Sequence, residues 1–106
     1  MANYWPEDWV VVKLNYKGKI SYRVVAGWAG GYARGDHWRI NSGIVNCRKT
    51  DEGFLAFSGN TGSTYYVNPL GYAMRKTLSD AVAYLSPYLV DVLPADTNWE
   101  TFDYEH

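Results

Sequence analysis

One stretch of the chain has the apolar spacing of an amphipathic α-helix, and it constrains how the rest can fold. Between Asn68 and Ser86, apolar and small residues recur at intervals of three and four. These residues are Leu70, Ala73, Met74, Thr77, Leu78, Ala81, Val82 and Leu85. Asn68 before Pro69 is a typical N-cap and first-turn pair, and Pro87 ends the run. We therefore predict a helix over 69–86 whose apolar stripe covers one face of a sheet.

The start of this helix has two candidate positions. Gly71 costs about 1 kcal/mol inside a helix relative to alanine. Thr77, followed by Asp80 three residues later, has the spacing of a capping box. The pattern thus predicts a helix that begins either at Pro69 or near Thr77.

The chain before this helix begins with two β-rich runs. Residues 9–16 and 19–26 flank Lys17-Gly18, a dipeptide typical of a hairpin turn. Their period-2 pattern predicts one apolar face of a sheet and one wet, basic face. The predicted apolar face carries Val10, Val12, Leu14, Tyr16, Ile20, Tyr22, Val24 and Ala26.

Shorter β-rich runs continue the pattern along the chain. They cover residues 38–48, 54–57, 64–67 and, after the helix, 88–93. A bulge at Ser42-Gly43 would bring the two halves of the first of these runs into one phase. The last run is expected at an edge of the sheet.

These elements predict an α+β fold, a small antiparallel meander of about five strands with one helix packed on one face. At 106 residues the chain has room for one domain with its own core. We assign residues 1–93 to this single domain. Residues 94–106 form an acidic, aromatic C-terminal tail.

Composition excludes several classes of protein. The single cysteine, Cys47, cannot form an internal disulfide, and the first residues lack the pattern of a signal peptide. The uncharged run 24–33 is too short to span a bilayer. One cysteine and two histidines do not make a zinc site. We therefore expect a cytoplasmic protein without membrane contact, metal or cofactor.

The net charge of −1 hides a segregation of charge along the chain. All ten Lys and Arg residues lie between Trp9 and Leu78, with three acidic residues among them, which gives +7. From Ser79 to the end there are six acidic residues and no Lys or Arg, which gives −6. Such asymmetry points to charged partners or to a tail that docks on its own chain.

Basic side chains along the predicted wet face suggest direct nucleic-acid binding. The candidates are Lys13, Lys19, Arg23, Arg39 and Arg48. With tyrosines nearby, such a face supplies cations for phosphates and rings for base stacking. The alternative is an ordinary solvated sheet face, since Lys and Arg also keep sheet edges soluble.

Aromatic residues in two segments suggest the binding of a protein partner. The Gly-rich loop 27–36 carries Trp28, Tyr32 and Arg34, and the tail carries Trp99, Phe102 and Tyr104 among carboxylates. Tyrosine, tryptophan and arginine are enriched at interface hot spots, and charge steers association. Alternatively, the tail docks on the basic body of its own chain, and its aromatic rings complete the core.

Catalysis finds less support in the sequence. His37 and Cys47 are the candidate dyad, and Asp36 beside His37 is a candidate acid–base pair. A cysteine in an alternating strand is more typical of a small buried hydrophobe than of a nucleophile. We therefore assign no catalytic residue and keep a small enzyme that uses His37 as an alternative.

The segment Trp38-Arg39-Ile40-Asn41-Ser42-Gly43-Ile44, followed by Gly62-Ser63-Thr64-Tyr65, resembles small uncharacterised accessory proteins of phages and other mobile elements. The resemblance covers the middle of the chain and implies no catalytic residues. It implies a compact protein of the kind that binds a host complex and inhibits or redirects it. We expect a non-enzymatic binding or inhibitor protein whose partner is a protein, such as a complex that handles nucleic acid. A homodimer is compatible with the sequence.

Overall fold

Two four-stranded sheets pack face to face, and one helix covers the other side of the second sheet. The computed structural model describes residues 2–28 and 37–105. Its strands are β1 (Asn3–Tyr4), β2 (Asp8–Tyr16), β3 (Lys19–Trp28), β4 (His37–Ile40), β5 (Ile44–Lys49), β6 (Leu55–Gly59), β7 (Thr64–Val67) and β8 (Leu89–Val92). The helix α1 spans Lys76–Tyr84, and a 3-10 turn spans Pro69–Gly71.

Sheet 1 has the strand order β1-β7-β6-β5, and sheet 2 has the order β4-β3-β2-β8. The pairs formed by these strands are antiparallel, except that β1 runs parallel to β7. The α+β class and the mostly antiparallel pairing are confirmed, but the single five-stranded meander is wrong because the chain builds two sheets. The predicted edge strand is confirmed as β8, which pairs with β2.

The register of the β2–β3 hairpin explains why sheet 2 has apolar residues on both sides, and not on one side as predicted. Lys17 and Gly18 have φ angles of +53° and +84°, as a two-residue type I′ turn requires. Because Tyr16 pairs with Lys19, each even-numbered residue of β2 lies opposite an odd-numbered residue of β3. The two runs predicted to share one apolar face therefore lie on opposite sides of sheet 2. The prediction of one wet, basic side is wrong for the same reason.

Sheet 2 contributes to a hydrophobic core on each side. The core between the two sheets comprises Trp9, Val11, Tyr22, Val24, Ala26, Ile44, Cys47, Leu55, Phe57, Tyr65, Val67, Leu93, Trp99 and Tyr104. The core beneath α1 comprises Val10, Val12, Leu14, Val25, Leu78, Ala81, Val82 and Leu85. Successive residues of β2 thus alternate between two buried environments rather than between core and solvent.

A corner after β4 carries the chain from sheet 2 to sheet 1. The backbone N–H of Asn41 donates to the carbonyl of Val24 at 3.0 Å, and the Asn41 side chain accepts from the N–H of Val24 at 3.0 Å. Gly43 follows with a φ of +134°, which favours glycine. The expected bulge at Ser42-Gly43 inside one strand is therefore wrong, because the chain turns between two strands there.

The helix begins near the later of its two predicted positions. Asn68 does act as a cap, since its side chain accepts from the N–H of Leu70 at 2.9 Å, but the cap belongs to the 3-10 turn. Tyr72 then forms a parallel bridge with Trp9, so the backbone is extended where the longer helix was predicted. α1 has nine residues, and no helix in the described ranges is long and apolar enough to cross a bilayer.

The tail docks on its own chain through aromatic rings. The Trp99 ring is buried, with its centroid 5.4 Å from Trp9, 5.8 Å from Phe57 and 5.5 Å from Tyr72. The Tyr104 hydroxyl donates to the carbonyl of Trp99 at 2.6 Å. The tail thus completes the core between the sheets, as the alternative interpretation of its aromatic residues proposed.

Replacing Trp99 by alanine should lower the free energy of unfolding by about 3–5 kcal/mol, because it removes a ring packed against both sheets. Chemical denaturation followed by circular dichroism measures this change. The matched control is Asp96→Asn at an exposed tail position, which should change the free energy by less than about 0.5 kcal/mol. Equal stabilities of the two variants would contradict the docking of the tail.

Candidate functional site

A cleft lined mostly by aromatic residues opens where β1 crosses the ends of β3 and β4. We call it the Trp28 pocket, and its volume is about 400 Å³. Its lining comprises Asn3, Tyr4, Trp5, Trp28, His37, Trp38 and Arg39. The pocket therefore combines one residue from each of the three functional predictions, namely Trp28, Arg39 and His37.

The N-terminal segment reaches the pocket through its pairing with sheet 1. Asn3 pairs with Thr64 and Tyr4 with Tyr65 in the parallel β1–β7 ladder. The Tyr4 ring lies 4.8 Å from the Tyr65 ring, centroid to centroid, and 6.4 Å from that of Trp28. Tyr4 thus connects the core of sheet 1 to the end of β3.

Trp28 is held in one orientation by contacts on two sides. Its Nε1–H donates to the backbone carbonyl of Trp5 at 3.1 Å. The His37 ring stacks on the indole with a centroid distance of 4.9 Å and an angle of 7° between the planes. Trp28 and His37 are direct cross-strand partners in the β3–β4 ladder, so the backbone register sets this stack. The pocket wall is consequently preorganised.

Arg39 supplies the positive charge of the pocket. Its guanidinium carbon lies 4.6 Å from the centroid of the Tyr4 ring, a cation–π contact. The side chain is exposed to solvent. Among the described residues that line the pocket, Arg39 is the one Lys, Arg, Asp or Glu.

Trp5 forms an exposed wall of the pocket, with 55% of its surface accessible. Its ring stacks on Tyr66 with a centroid distance of 5.2 Å and an angle of 11°. Trp5 also borders a second cavity of about 350 Å³, lined further by Thr50, Glu52, Phe54 and Tyr66. An aromatic surface therefore runs from the outer side of sheet 1 into the Trp28 pocket.

Sequence reasoning found only part of this pocket. Trp28 was predicted as a binding residue and lines it, whereas Tyr32 and Arg34, predicted with it, lie outside the described residues, as does Asp36. Tyr4, Trp5 and Trp38 were not predicted. The adjacent aromatic residues Tyr4-Trp5 before Pro6 were a signal, but nothing in the sequence places them beside β3.

The tail does not present the exposed aromatic anchors that were predicted. Trp99 and Tyr104 are buried, and Phe102 is half-buried with its ring 5.0 Å from Tyr22, centroid to centroid. The expectation that these three rings are free for a partner is wrong, because the open side of the core accommodates them. The carboxylates beside them remain exposed.

The predicted basic face does not exist as one surface. Lys13 and Arg39 project to the sheet 1 side of sheet 2, Lys19 and Arg23 to its α1 side, and Arg48 to the outer side of sheet 1. The register of the β2–β3 hairpin puts Lys13 on the opposite side of sheet 2 from Lys19 and Arg23. Arg48 lies in sheet 1, because the chain passes from sheet 2 to sheet 1 at the corner after β4. The five side chains therefore lie on three different surfaces.

Cys47 and His37 occupy different environments. Cys47 lies in the core between the sheets, and burial, with a smaller effect of Glu100, raises the pKa of its thiol to about 12. It is therefore an uncharged thiol at neutral pH, and the thiolate is the reactive form. His37 is exposed and stacked on Trp28. No group of three His, Cys, Asp or Glu side chains within 2–28 and 37–105 could hold a metal ion.

Comparisons with known proteins add no family to this geometry. No protein-family model matches the chain, and searches of curated proteins and of solved structures find no match. The functional interpretation therefore depends on the residues of the Trp28 pocket and on the surfaces around it.

The buried thiol and phenols should make the fold sensitive to alkali. Burial raises the pKa of Cys47 from 9.0 to about 12 and that of Tyr65 from 10.0 to about 12. Because these folded values exceed the unfolded ones, the stabilisation is complete below pH 9 and is lost as the pH rises towards 12. Denaturation across this range, with tyrosinate absorbance as the probe, measures the loss.

The variant Cys47→Ala provides the control for this titration. Without the thiol, the loss of stability should begin near pH 10, the ordinary pKa of tyrosine, instead of near pH 9. A free energy of unfolding that stays constant between these values and pH 12 would contradict the burial of both groups.

Proposed function

We propose that this chain is a non-enzymatic binding protein that engages a protein partner at the Trp28 pocket. The observation that carries the proposal is the composition of the lining, in which the rings of Tyr4, Trp5 and Trp28 surround a cleft that also holds Arg39. Tryptophan, tyrosine and arginine are the residues enriched at interface hot spots. The uncharged thiol of Cys47 supports binding rather than nucleophilic chemistry.

The preorganisation of the pocket supports the same function. Trp28 is fixed by its hydrogen bond to Trp5 and by the stacked His37 ring, and Trp5 itself stacks on Tyr66. A wall whose rings are already ordered loses less conformational entropy when a partner binds. More of the interaction energy therefore remains as affinity.

The distribution of charge favours a protein over a nucleic acid. Among the described residues that line the pocket, Arg39 is the one basic side chain of the Lys or Arg type. Lys19, Arg23 and Arg48 project from other surfaces. Affinity for nucleic acid depends on many phosphate contacts made at once, so dispersed cations contribute little. Direct nucleic-acid binding stays the alternative, with a steep salt dependence as its signature.

The tail supports a narrower proposal, that the partner handles nucleic acid and has a basic surface. Its Trp99 and Tyr104 rings are buried, yet Asp96, Glu100 and Glu105 are exposed and form no ion pair with the described part of the chain. Fixed, solvent-facing carboxylates steer the approach of a basic surface. An accessory protein that inhibits or redirects such a complex would use both surfaces.

We expect the full chain, used as bait, to retain a protein from a host lysate after nuclease treatment. Trp5→Ala and Arg39→Ala should each weaken the interaction with that protein by about 30-fold or more, which corresponds to a hot-spot loss of about 2 kcal/mol. Titration of the purified partner against each variant measures the change.

The matched control for these variants is Leu70→Ser, which removes an exposed apolar side chain that is not among the described residues of the pocket lining. It should bind the partner as the unsubstituted chain does. Retention that disappears with nuclease would favour nucleic-acid binding, and equal losses in all three variants would exclude the Trp28 pocket as the contact.

Neutralising the tail in the triple variant Asp96→Asn, Glu100→Gln, Glu105→Gln should slow association with the partner and weaken its salt dependence. Rim charges act mainly on association rates, so the dissociation rate should change little. Stopped-flow or surface-based kinetics at two salt concentrations separate the rates. An unchanged association rate would remove the tail from the proposed contact surface.

A further inference from the structure

The strand β4 is an edge strand of sheet 2, and three of its residues line the Trp28 pocket. It pairs with β3 along one edge, in the register Trp28 with His37 to Val25 with Ile40. Along its other edge, no strand in the described part of the chain pairs with it. Such an edge presents backbone donors and acceptors to whatever approaches it.

The hydrogen-bond pattern identifies which backbone groups point outward. The N–H of Asn41 donates to the carbonyl of Val24, so Asn41 belongs to the set that faces β3. In an antiparallel ladder these sets alternate, and His37 and Arg39 therefore also face β3. The N–H and C=O groups of Trp38 and Ile40 are left to point away from the sheet.

A cavity lies on each side of this edge. His37 and Arg39 project into the Trp28 pocket, on the sheet 1 side. Trp38 projects to the α1 side, where it lines a cavity of about 410 Å³ together with Lys76, Thr77 and Asp80. We call this second cavity the helix cavity. The two volumes are nearly equal, and β4 runs between them.

We propose that β4 accepts an extended segment of the partner protein as an added strand, with acidic side chains in the Trp28 pocket and apolar ones in the helix cavity. Successive side chains of a strand point to opposite sides of a sheet, so one segment would fill both cavities in alternation. The backbone groups of Trp38 and Ile40 would supply the ladder hydrogen bonds. This inference rests on the proposed binding function and specifies the form of the partner.

Charge selects the side chains of the segment. The Trp28 pocket has Arg39 and no carboxylate in its described lining, so it complements Asp or Glu. In the helix cavity, Lys76 and Asp80 neutralise each other in an ion pair of 3.0 Å, beside the Trp38 ring. An uncharged apolar side chain fits that environment.

The same charges disfavour a second copy of the chain as the added strand. Two β4 strands paired antiparallel about a twofold axis would set both Arg39 side chains on the same side of the ladder, where like charges repel. Natural sheets also use short, charged edge strands simply to avoid pairing. An edge strand that only avoids pairing does not require a cavity on either side, whereas β4 has one on each side.

The test uses a panel of blocked hexapeptides with Glu at alternate positions and varied apolar residues between them. NMR of the full chain should show binding, with slower hydrogen exchange at the amides of Trp38 and Ile40. N-methylation of alternate peptide residues should weaken binding by about tenfold for the set that faces β4, and not for the other set.

Arg39→Gln provides the specificity control. It should weaken the Glu peptides by about tenfold or more and the matched Gln peptides far less, because only the Glu carboxylates form an ion pair with the Arg39 guanidinium. A panel with Lys in place of Glu should not bind. Together these results would establish both the ladder and the charge preference.

Four outcomes would overturn strand addition. The first two are failure of the whole panel to bind, and binding that leaves hydrogen exchange at the Trp38 and Ile40 amides unchanged. The other two are slower exchange at these amides that depends on protein concentration, because a dimer forms, and slower exchange caused by an oligonucleotide and not by the peptides. If partner capture still depended on Trp5 and Arg39, the proposed function would stand and only its extended form would be wrong.

Discussion

The indole of Trp9 connects every layer of this fold except α1. The side chain is almost fully buried, and its Nε1–H donates to the carbonyl of Asn68 at 2.7 Å. Its ring lies 5.5 Å from Phe57 in sheet 1, 4.6 Å from Tyr72 and 5.4 Å from Trp99, centroid to centroid. Three segments distant in the sequence, which contain Phe57, Asn68 with Tyr72, and Trp99, therefore depend on one side chain of β2.

Trp9 also determines where the helix can begin. The N–H of Ala73 donates to the carbonyl of Trp9 at 3.2 Å, and the Tyr72 hydroxyl donates to the carbonyl of Leu93. These contacts hold residues 72–73 extended beside β2 and use backbone groups that a longer helix would need. α1 can form only after the chain has left this contact, and it then covers the opposite side of sheet 2.

The sequence predicted the individual elements better than their assembly. Alternation located β2, β3, β6 and β7, and the stripe through Leu78 and Leu85 located the helix, because local periodicity reports which positions are buried. It does not report what buries them. Val10 and Val11 are both fully buried, on opposite sides of sheet 2, and no local pattern distinguishes a second core from solvent. Tyr4 and Trp5 of the Trp28 pocket were not predicted, because β1 is placed there by its pairing with β7, which is distant in the sequence.

The geometry of the Trp28 pocket depends on a strand with little backbone support. β1 has only two residues paired with β7, so its ladder supplies few hydrogen bonds. The contacts of Tyr4 with Tyr65, of Trp5 with Tyr66 and of Trp28 with the Trp5 carbonyl hold it instead. Aromatic pairs contribute about 0.5–1.5 kcal/mol each beyond their buried area. The rings that line the pocket are thus the same rings that fix β1, and a partner that packs against them stabilises the N-terminal strand as it binds.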